Sequence, residues 1–405
     1  MALDERKQKN ANEVALVGGA VCWRALELFV TTFLTAELLF LTDWNIWKFC
    51  AYYSIYWLML FLFYWGGSYI VKRFSAVWSI RAGVLLSVCA ISLVCVFNDQ
   101  IVDLYLLFAG LIGASSGFFW IAFNGFSAYA MSGERMHAYQ TYKNISWSVA
   151  SVIFPFTLGS IIHWVSFYIS ALVVLAIGIV LVGFTLMMNG RSMPKSRMSM
   201  TAYAKIVKSA RLTRPALHNF AFQYVGTIFT SCGLFATILI AIHFGNSFSL
   251  GSIVSIFAVV SITILTIYRF IKSMRAKTIV FAVTVALAIL LTLPLCFEIN
   301  RVTIILLQTA MSLFVGASVE LGRLQCDTMR ILGKPSVTTE NLIFCELAYF
   351  LGRFSILGLI LFGWYMGGVH MFAYVILGGI STSIIGFWLW RGFWKKYGSL
   401  DTNKG

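Results

Sequence analysis

Glu320, Arg323, Asp327 and Arg330 share one stretch of a chain that is 60% hydrophobic and only 11% charged. At about 100° per residue they fall within an arc of about 80° on one helix face. Thr309, Ser312 and Gly316 extend that face upstream, and the next apolar run places Glu346, Tyr349 and Arg353 on one side. A charge at the centre of a bilayer costs at least about 2.5–3.5 kcal/mol unless it faces a partner or water. Such groups point inward, toward a cavity. There, carboxylates and guanidinium groups can hold a charged organic solute, and an acid without a cation of its own can load and release a proton.

These residues need a scaffold, and the composition names its class. Apolar runs of the ~20 residues that cross a hydrocarbon core recur from residue 14 onward. Twelve spans are read, at 14–41, 47–70, 77–97, 101–131, 141–163, 166–189, 215–243, 248–270, 277–297, 302–331, 340–365 and 368–390. The expected fold is all-α and polytopic. A membrane barrel is excluded because its strands would alternate polar and apolar residues. The net charge of +15 does not indicate nucleic acid, because Lys and Arg gather in alternate connections. Arg6, Lys7 and Lys9, then Lys72, Arg73 and Arg81, then Arg135 and Lys143, then Arg269 to Lys277, and finally Arg391 to Lys396 mark one side. The loops at Asp43, Asn98, His163, His243–Ser249 and Met366–His370 carry neither Lys nor Arg. This is the positive-inside pattern, with both termini cytoplasmic. The charged tail Met1 to Asn12 has no small-residue cleavage site after it and is not read as a signal peptide. The eight Cys lack paired spacing and the five His lack ligand-like neighbours, so neither a disulfide framework nor a metal site is expected, and no cofactor.

Between Gly190 and Pro215 the chain is basic without an acid. Its second half reads as a helix on the inner membrane surface or as a solvated linker. The expected organisation is an N-terminal six-helix bundle (1–190), a basic cytoplasmic linker (191–214) and a C-terminal six-helix bundle (215–405). The halves echo each other: Gly113-Ala-Ser recurs as Gly316-Ala-Ser, and at that offset Trp120 matches Arg323 and Asn124 matches Asp327. Duplicated halves with a site near the midplane are a transporter architecture.

Three further segments carry a resemblance. They are Gly66-Gly67 followed by Lys72, Arg73 and Arg81-Ala-Gly83; Gly113 through Asn124; and Glu340 and Glu346 leading into Gly352-Arg353. With the span count, these make the chain similar to the major facilitator superfamily, in a bacterial branch of it. The resemblance implies two pseudo-symmetric bundles whose first, fourth, seventh and tenth helices line a central cavity. The sequence departs from the family where Val71 or Lys72 replaces the Asp after helix two. It departs again at Phe154-Pro155 and Gly159-Ser160, where drug/proton antiporters tend to have Gly-Pro and Gly-Gly.

Polar stripes chosen by periodicity fall on those same four helices: Arg24, Glu27, Thr31 and Thr35; Trp120, Asn124 and Ser127; Asn219, Gln223, Thr227 and Thr230; and the Glu320 group. The candidate substrate-binding residues are therefore Arg24, Glu27, Trp120, Asn124, Gln223, Arg323, Asp327, Glu346 and Arg353. Glu320 and Glu27 are the candidate proton carriers. Arg323 and Asp327 at i, i+4 can equally be a self-neutralising pair, and Arg330 and Arg81 are read as snorkelling caps. The expected function is a secondary transporter, not an enzyme. It would move a charged or zwitterionic organic solute by alternating access with protons, as a monomer in the bacterial cytoplasmic membrane. A lipid or lipid-linked flippase and a non-transporting membrane sensor or scaffold remain alternatives.

Overall fold

The structure, a computed structural model, describes residues 2–130, 134–188, 198–209, 212–271, 273–314 and 338–397. Side chains are described in these ranges except at 2–11, 13, 126–130, 134–144, 209, 269 and 397. Every regular element among the described residues is helical. In chain order they are α1 (Ala2–Leu28), a π-helical turn (Phe29–Leu34), α2 (Thr35–Leu41), α3 (Ile46–Arg73), α4 (Ala76–Val96), α5 (Ile101–Ala130), α6 (Glu134–Trp164) and α7 (Phe167–Met187). There follow α8 (Met200–Ser209), α9 (Thr213–Ser231), α10 (Gly233–Phe244), α11 (Ser247–Phe270), α12 (Met274–Thr292), α13 (Arg301–Leu313), α14 (Thr338–Gly367) and α15 (Val369–Tyr397).

Eleven helical segments among the described residues are long and apolar enough to cross a membrane, so the chain is a multi-pass α-helical membrane protein. The tenth expected span, 302–331, is seen as the shorter α13, and residues 315–337 lie outside the described set. Several connections among the described residues are short, and their chemistry is local. Asn45, Ser75, Ser166 and Ser273 accept N-cap bonds from Lys48, Trp78, Ile169 and Ala276, while Asn300 and Thr303 form a capping box. Such bonds satisfy helix donors that would otherwise be orphaned. Gly245 and Gly368, at φ +66° and +61°, end α10 and α14 in the left-handed conformation that glycine adopts without strain.

The chain divides into two compact units, Met1–Met198 with Gly245–Ala258, and Ser199–Phe244 with Val259–Gly405. In lipid there is no hydrophobic drive between helices, so small residues and interhelical hydrogen bonds must join them. The first unit does this around α5. Cβ atoms added at Gly113 and Gly117 would overlap the Tyr56 and Leu60 carbonyls of α3, and one at Gly83 of α4 would sit 2.8 Å from the Ser115 carbonyl of α5. Ser115 donates to the Gly83 carbonyl (2.9 Å) and Ser79 to the Phe118 carbonyl (2.8 Å). Gly251, near the start of α11, abuts the Pro155 carbonyl of α6, and Ser255 donates to the Val152 carbonyl at 2.6 Å. Proline and glycine thus bring two backbones together, and the division drawn from sequence at 190 and 215 does not anticipate that the start of α11 belongs with the N-terminal unit. Arg81 donates to the Thr185 and Met188 carbonyls at the end of α7 (3.2 and 3.3 Å). It caps a neighbouring helix rather than snorkelling outward.

In the second unit α9 lies between α14 and α15. Gly352 lets α14 approach the Tyr224 carbonyl and Thr227, and Gly386 of α15 faces Phe222, Val225 and Phe229. The linker helix α8 turns its apolar side onto this unit, with Tyr203 and Val207 buried against Ala216 and partly buried Phe344. Tyr203 donates to Asn341 (2.9 Å), and the Ser199 N–H to the buried Glu340 carboxylate (3.0 Å). A helix whose apolar stripe is spent on protein has none left for lipid. The apolar stripe of α8 therefore faces protein, and Thr201, Ala202, Ala204, Lys205 and Lys208 are exposed.

Candidate functional site

Two polar clusters stand inside apolar spans, one in each unit. In the first unit, Arg24 and Glu27 on α1 form an ion pair at 2.7 Å, with side chains 24% and 20% exposed. The i, i+3 spacing puts both on one face. α6 supplies what fixes the guanidinium: Nε of Arg24 donates to Ser151 Oγ (2.9 Å), and its Cζ lies 5.0 Å from the Trp147 ring centre. Trp147 in turn meets Trp120 of α5 at 5.6 Å and 59°. One residue before Arg24, Trp23 stacks flat on Phe119 at 3.8 Å. Arg24, Glu27 and Trp120 therefore join one charged, aromatic cluster. Asn124 sits one turn beyond Trp120, half-buried, with no described hydrogen bond joining it to the pair.

Directly after Glu27 the helix widens. The π-helical turn Phe29–Leu34 interrupts the 3.6-residue period, a feature that recurs at functional sites. Thr31 donates to the Glu27 carbonyl (2.7 Å), and the Thr31 carbonyl accepts from Tyr53 of α3 (2.8 Å) as well as from Thr35 (2.9 Å). Glu27, Thr31 and Thr35 are thus linked by hydrogen bonds and not by the uniform α-helical face expected of them. Thr35 is fully buried.

In the second unit the Glu346–Arg353 pair of α14 closes at 2.7 Å, with side chains 7% and 23% exposed. Seven residues rise about 10.5 Å along a helix, so Arg353 must reach back over two turns. It does so along Tyr349, whose ring centre lies 5.6 Å from the guanidinium carbon. Tyr349 also donates to Gln223 Oε1 (2.7 Å), Gln223 Nε2 donates to Asn219 Oδ1 (3.1 Å), and Asn219 Nδ2 to Cys345 Sγ (3.2 Å). Asn219 and Gln223 are fully buried. Their stripe on α9, expected to face a cavity, packs against α14 as a polar clasp. Removing a buried amide's partners costs about 1–3 kcal/mol each, so this ladder specifies how the two helices register.

Glu320, Arg323, Asp327 and Arg330 lie outside the described residues. Trp147, Ser151, Tyr53 and Cys345 were not singled out from sequence, although each contacts a residue that was. Trp147 and Ser151 do stand at i, i+4 in the fifth span, a spacing that marks one face. No group of His, Cys, Asp and Glu among the described residues is arranged to hold a metal.

No protein-family model matches the sequence, and no curated protein sequence matches it. Solved structures do match in fold along nearly the whole chain. The POT family transporter PepTSo aligns with a TM-score of 0.73 at 8% identity, covering 96% of this chain and 98% of its own. The major facilitator superfamily transporter FucP, in its outward conformation, aligns at 0.61 with 15% identity, covering 94% and 97%. The human organic anion transporter MFSD10 aligns at 0.65 with 12% identity, covering 95% and 99%.

Proposed function

From the fold that this chain shares with major facilitator superfamily transporters, we propose that it is a secondary transporter of a charged or zwitterionic organic solute, worked by alternating access and coupled to protons. The observation that carries this reading is the pair of arginine–carboxylate contacts, Arg24–Glu27 and Glu346–Arg353, each resting on an aromatic ring within an apolar span. A purely structural membrane subunit has no use for such groups, because burying them costs several kcal/mol before their mutual attraction repays it. A solute-binding site does, because the charges can exchange partners as a ligand enters. Arg323 and Asp327 are proposed to extend the binding set, and Glu320 or Glu27 to carry the proton. The chain is proposed to sit as a monomer in a bacterial cytoplasmic membrane with both termini inside, as the distribution of Lys and Arg supports.

The test uses purified protein in vesicles, comparing accumulation under an imposed pH gradient with counterflow in its absence. Glu320→Gln is expected to keep counterflow and lose gradient-driven accumulation. If it still concentrates solute, Glu320 is not the proton carrier and Glu27→Gln is the next variant. Absence of counterflow by the unmodified protein across a broad set of charged metabolites defeats the transporter reading. The topology has its own check: a reporter after Met200 reads internal and one after Asn300 external.

A further inference from the structure

The Arg24 cluster has a charge balance that restricts what can bind there. Unloaded, the pair is neutral, one guanidinium against one carboxylate at 2.7 Å. Among the described side chains few other charges face it. Among described side chains, α6 contributes Trp147 and Ser151 to the pair, and its titratable group, His163, stands at the far end of the helix. α7, also packed on α1, carries Tyr168 at its start. α5 carries Asp103 and Tyr105 at the end away from Trp120. Cys22 shares α1, and the Tyr53 hydroxyl from α3 is held by the Thr31 carbonyl. Among the described residues, nothing but Glu27 beside the pair can gain or lose a charge to compensate a ligand.

We propose that this cluster is a subsite for a flat, ring-bearing organic monoanion, taken up together with one proton on Glu27. This deepens and rests on the transporter reading above. An added cation would leave the site at +1, because arginine does not deprotonate. A net charge in surroundings of low polarity is costly. An added monoanion would leave it at −1, and one proton on a Glu27 carboxylate oxygen restores neutrality. That proton also removes the negative charge that holds Arg24 Nη1 and weakens the pair to an ordinary hydrogen bond, so that the guanidinium can take the ligand's carboxylate instead. Nε stays on Ser151 and the guanidinium carbon near the Trp147 ring, so the fork is held in place when the ligand arrives. A zwitterion would also balance, but its ammonium would have to settle beside a guanidinium that Ser151 and Trp147 hold in place. What the cluster offers instead is ring surface. Trp120 and Trp147 are only half-buried and tilted by 59°, apolar ring surface of the kind that packs against an aromatic body.

The experiment is calorimetric binding to the purified full chain at pH 7.5, with three probes of one skeleton: indole-3-acetate, tryptamine and tryptophan. Titrations in two buffers of different ionisation enthalpy count the protons taken up. The unmodified protein is expected to bind indole-3-acetate with uptake of about one proton. Its affinity should fall about tenfold per pH unit once Glu27 is ionised in the free protein. Glu27→Gln, a neutral mimic of the protonated acid, is expected to bind with no proton uptake and no such pH slope. Arg24→Lys, which loses the planar fork, is expected to bind at least tenfold more weakly. Binding of tryptamine or tryptophan in preference to indole-3-acetate overturns the inference, as do persistent proton uptake in Glu27→Gln and failure of all three probes to bind. Transport is read separately by counterflow. A protein that exchanges solutes but ignores indole-3-acetate refutes the subsite alone. One that binds it with proton uptake yet exchanges nothing refutes the transporter reading alone.

Discussion

Removing Arg353 should cost more than removing its partner, because the two ends of the pair are unequally buried. The Glu346 side chain is 7% exposed and that of Arg353 is 23% exposed. Arg353→Met leaves a carboxylate in the protein interior to which no other described cation bonds. Breaking a buried pair in this way costs about 3–5 kcal/mol. The partial exposure of the arginine and the ability of the stranded acid to take up a proton place the expectation near the low end, about 3 kcal/mol. Glu346→Gln keeps an acceptor oxygen for Arg353, which still lies on Tyr349. Its expected cost is therefore about 1–1.5 kcal/mol, the loss of charge from one hydrogen bond. The double variant removes both charges of this pair and should lie between the two singles, more stable than Arg353→Met itself, since it leaves no charged Glu346 behind. The assay is SDS-induced unfolding of the full chain in mixed micelles, as a double-mutant cycle at pH 8 and repeated at pH 5. Acid should narrow the Arg353→Met deficit by neutralising Glu346. If the single effects simply add, or the deficit does not depend on pH, Glu346 is not stabilised by Arg353 and the reasoning is wrong.

Four further outcomes are expected. Gly117→Val should lower the thermal stability of the detergent-solubilised protein by the equivalent of about 1–3 kcal/mol, because its Cβ would overlap the Leu60 carbonyl. Gly66→Ala, with nothing within 4 Å of its Cβ, should be silent. Tyr53→Phe should weaken the hold on the Thr31 carbonyl at a cost of about 1 kcal/mol and show as faster amide exchange in Phe29–Leu34, whereas unchanged exchange would mean that Tyr53 does not brace the turn. Burial pushes the Tyr203 phenol above its ordinary value of 10.0, with Cys345 and Glu340 adding to the shift. The hydroxyl thus stays a donor to Asn341 at neutral pH, and the stability it contributes is complete below pH 10.0 and lost as pH rises toward the folded value. Alkaline release of α8, followed by labelling of a cysteine at Ala216, should therefore vanish in Tyr203→Phe relative to its own neutral baseline.

How much of this was legible depends on how far apart in the chain the partners stand. The spans were readable because each is a continuous apolar run, and alternate basic connections marked their ends. Arg24 with Glu27, and Glu346 with Arg353, were readable because each pair shares one helix and periodicity fixes its face. Trp147 and Ser151 were not, since they reach Arg24 across 127 residues of sequence in the case of Ser151. Gln223 was legible as polar, but its partners were not. Periodicity says which side of α9 it occupies, while only packing says that α14 covers that side with Tyr349 and Cys345. The two readings of α8, surface helix or linker, stayed open for a related reason: an amphipathic stripe declares that it will be covered but does not say whether lipid or Phe344 covers it.

The widened turn at Phe29–Leu34 divides α1 and α2 into two angular registers. A residue inserted into an α-helix rotates everything beyond it by about 100°. A cysteine-accessibility scan through 14–41 should therefore not trace one sinusoid. It should trace two, in step up to Leu28 and out of step after Thr35. A structure-based alignment with a related helix that lacks the widening would need a one-residue gap in mid-membrane, where gaps are ordinarily forbidden. Deleting a single residue between Phe29 and Leu34 would be expected to leave a continuous α-helix of adequate span. It would turn Thr35 and Glu37 toward surroundings their present neighbours did not evolve to meet.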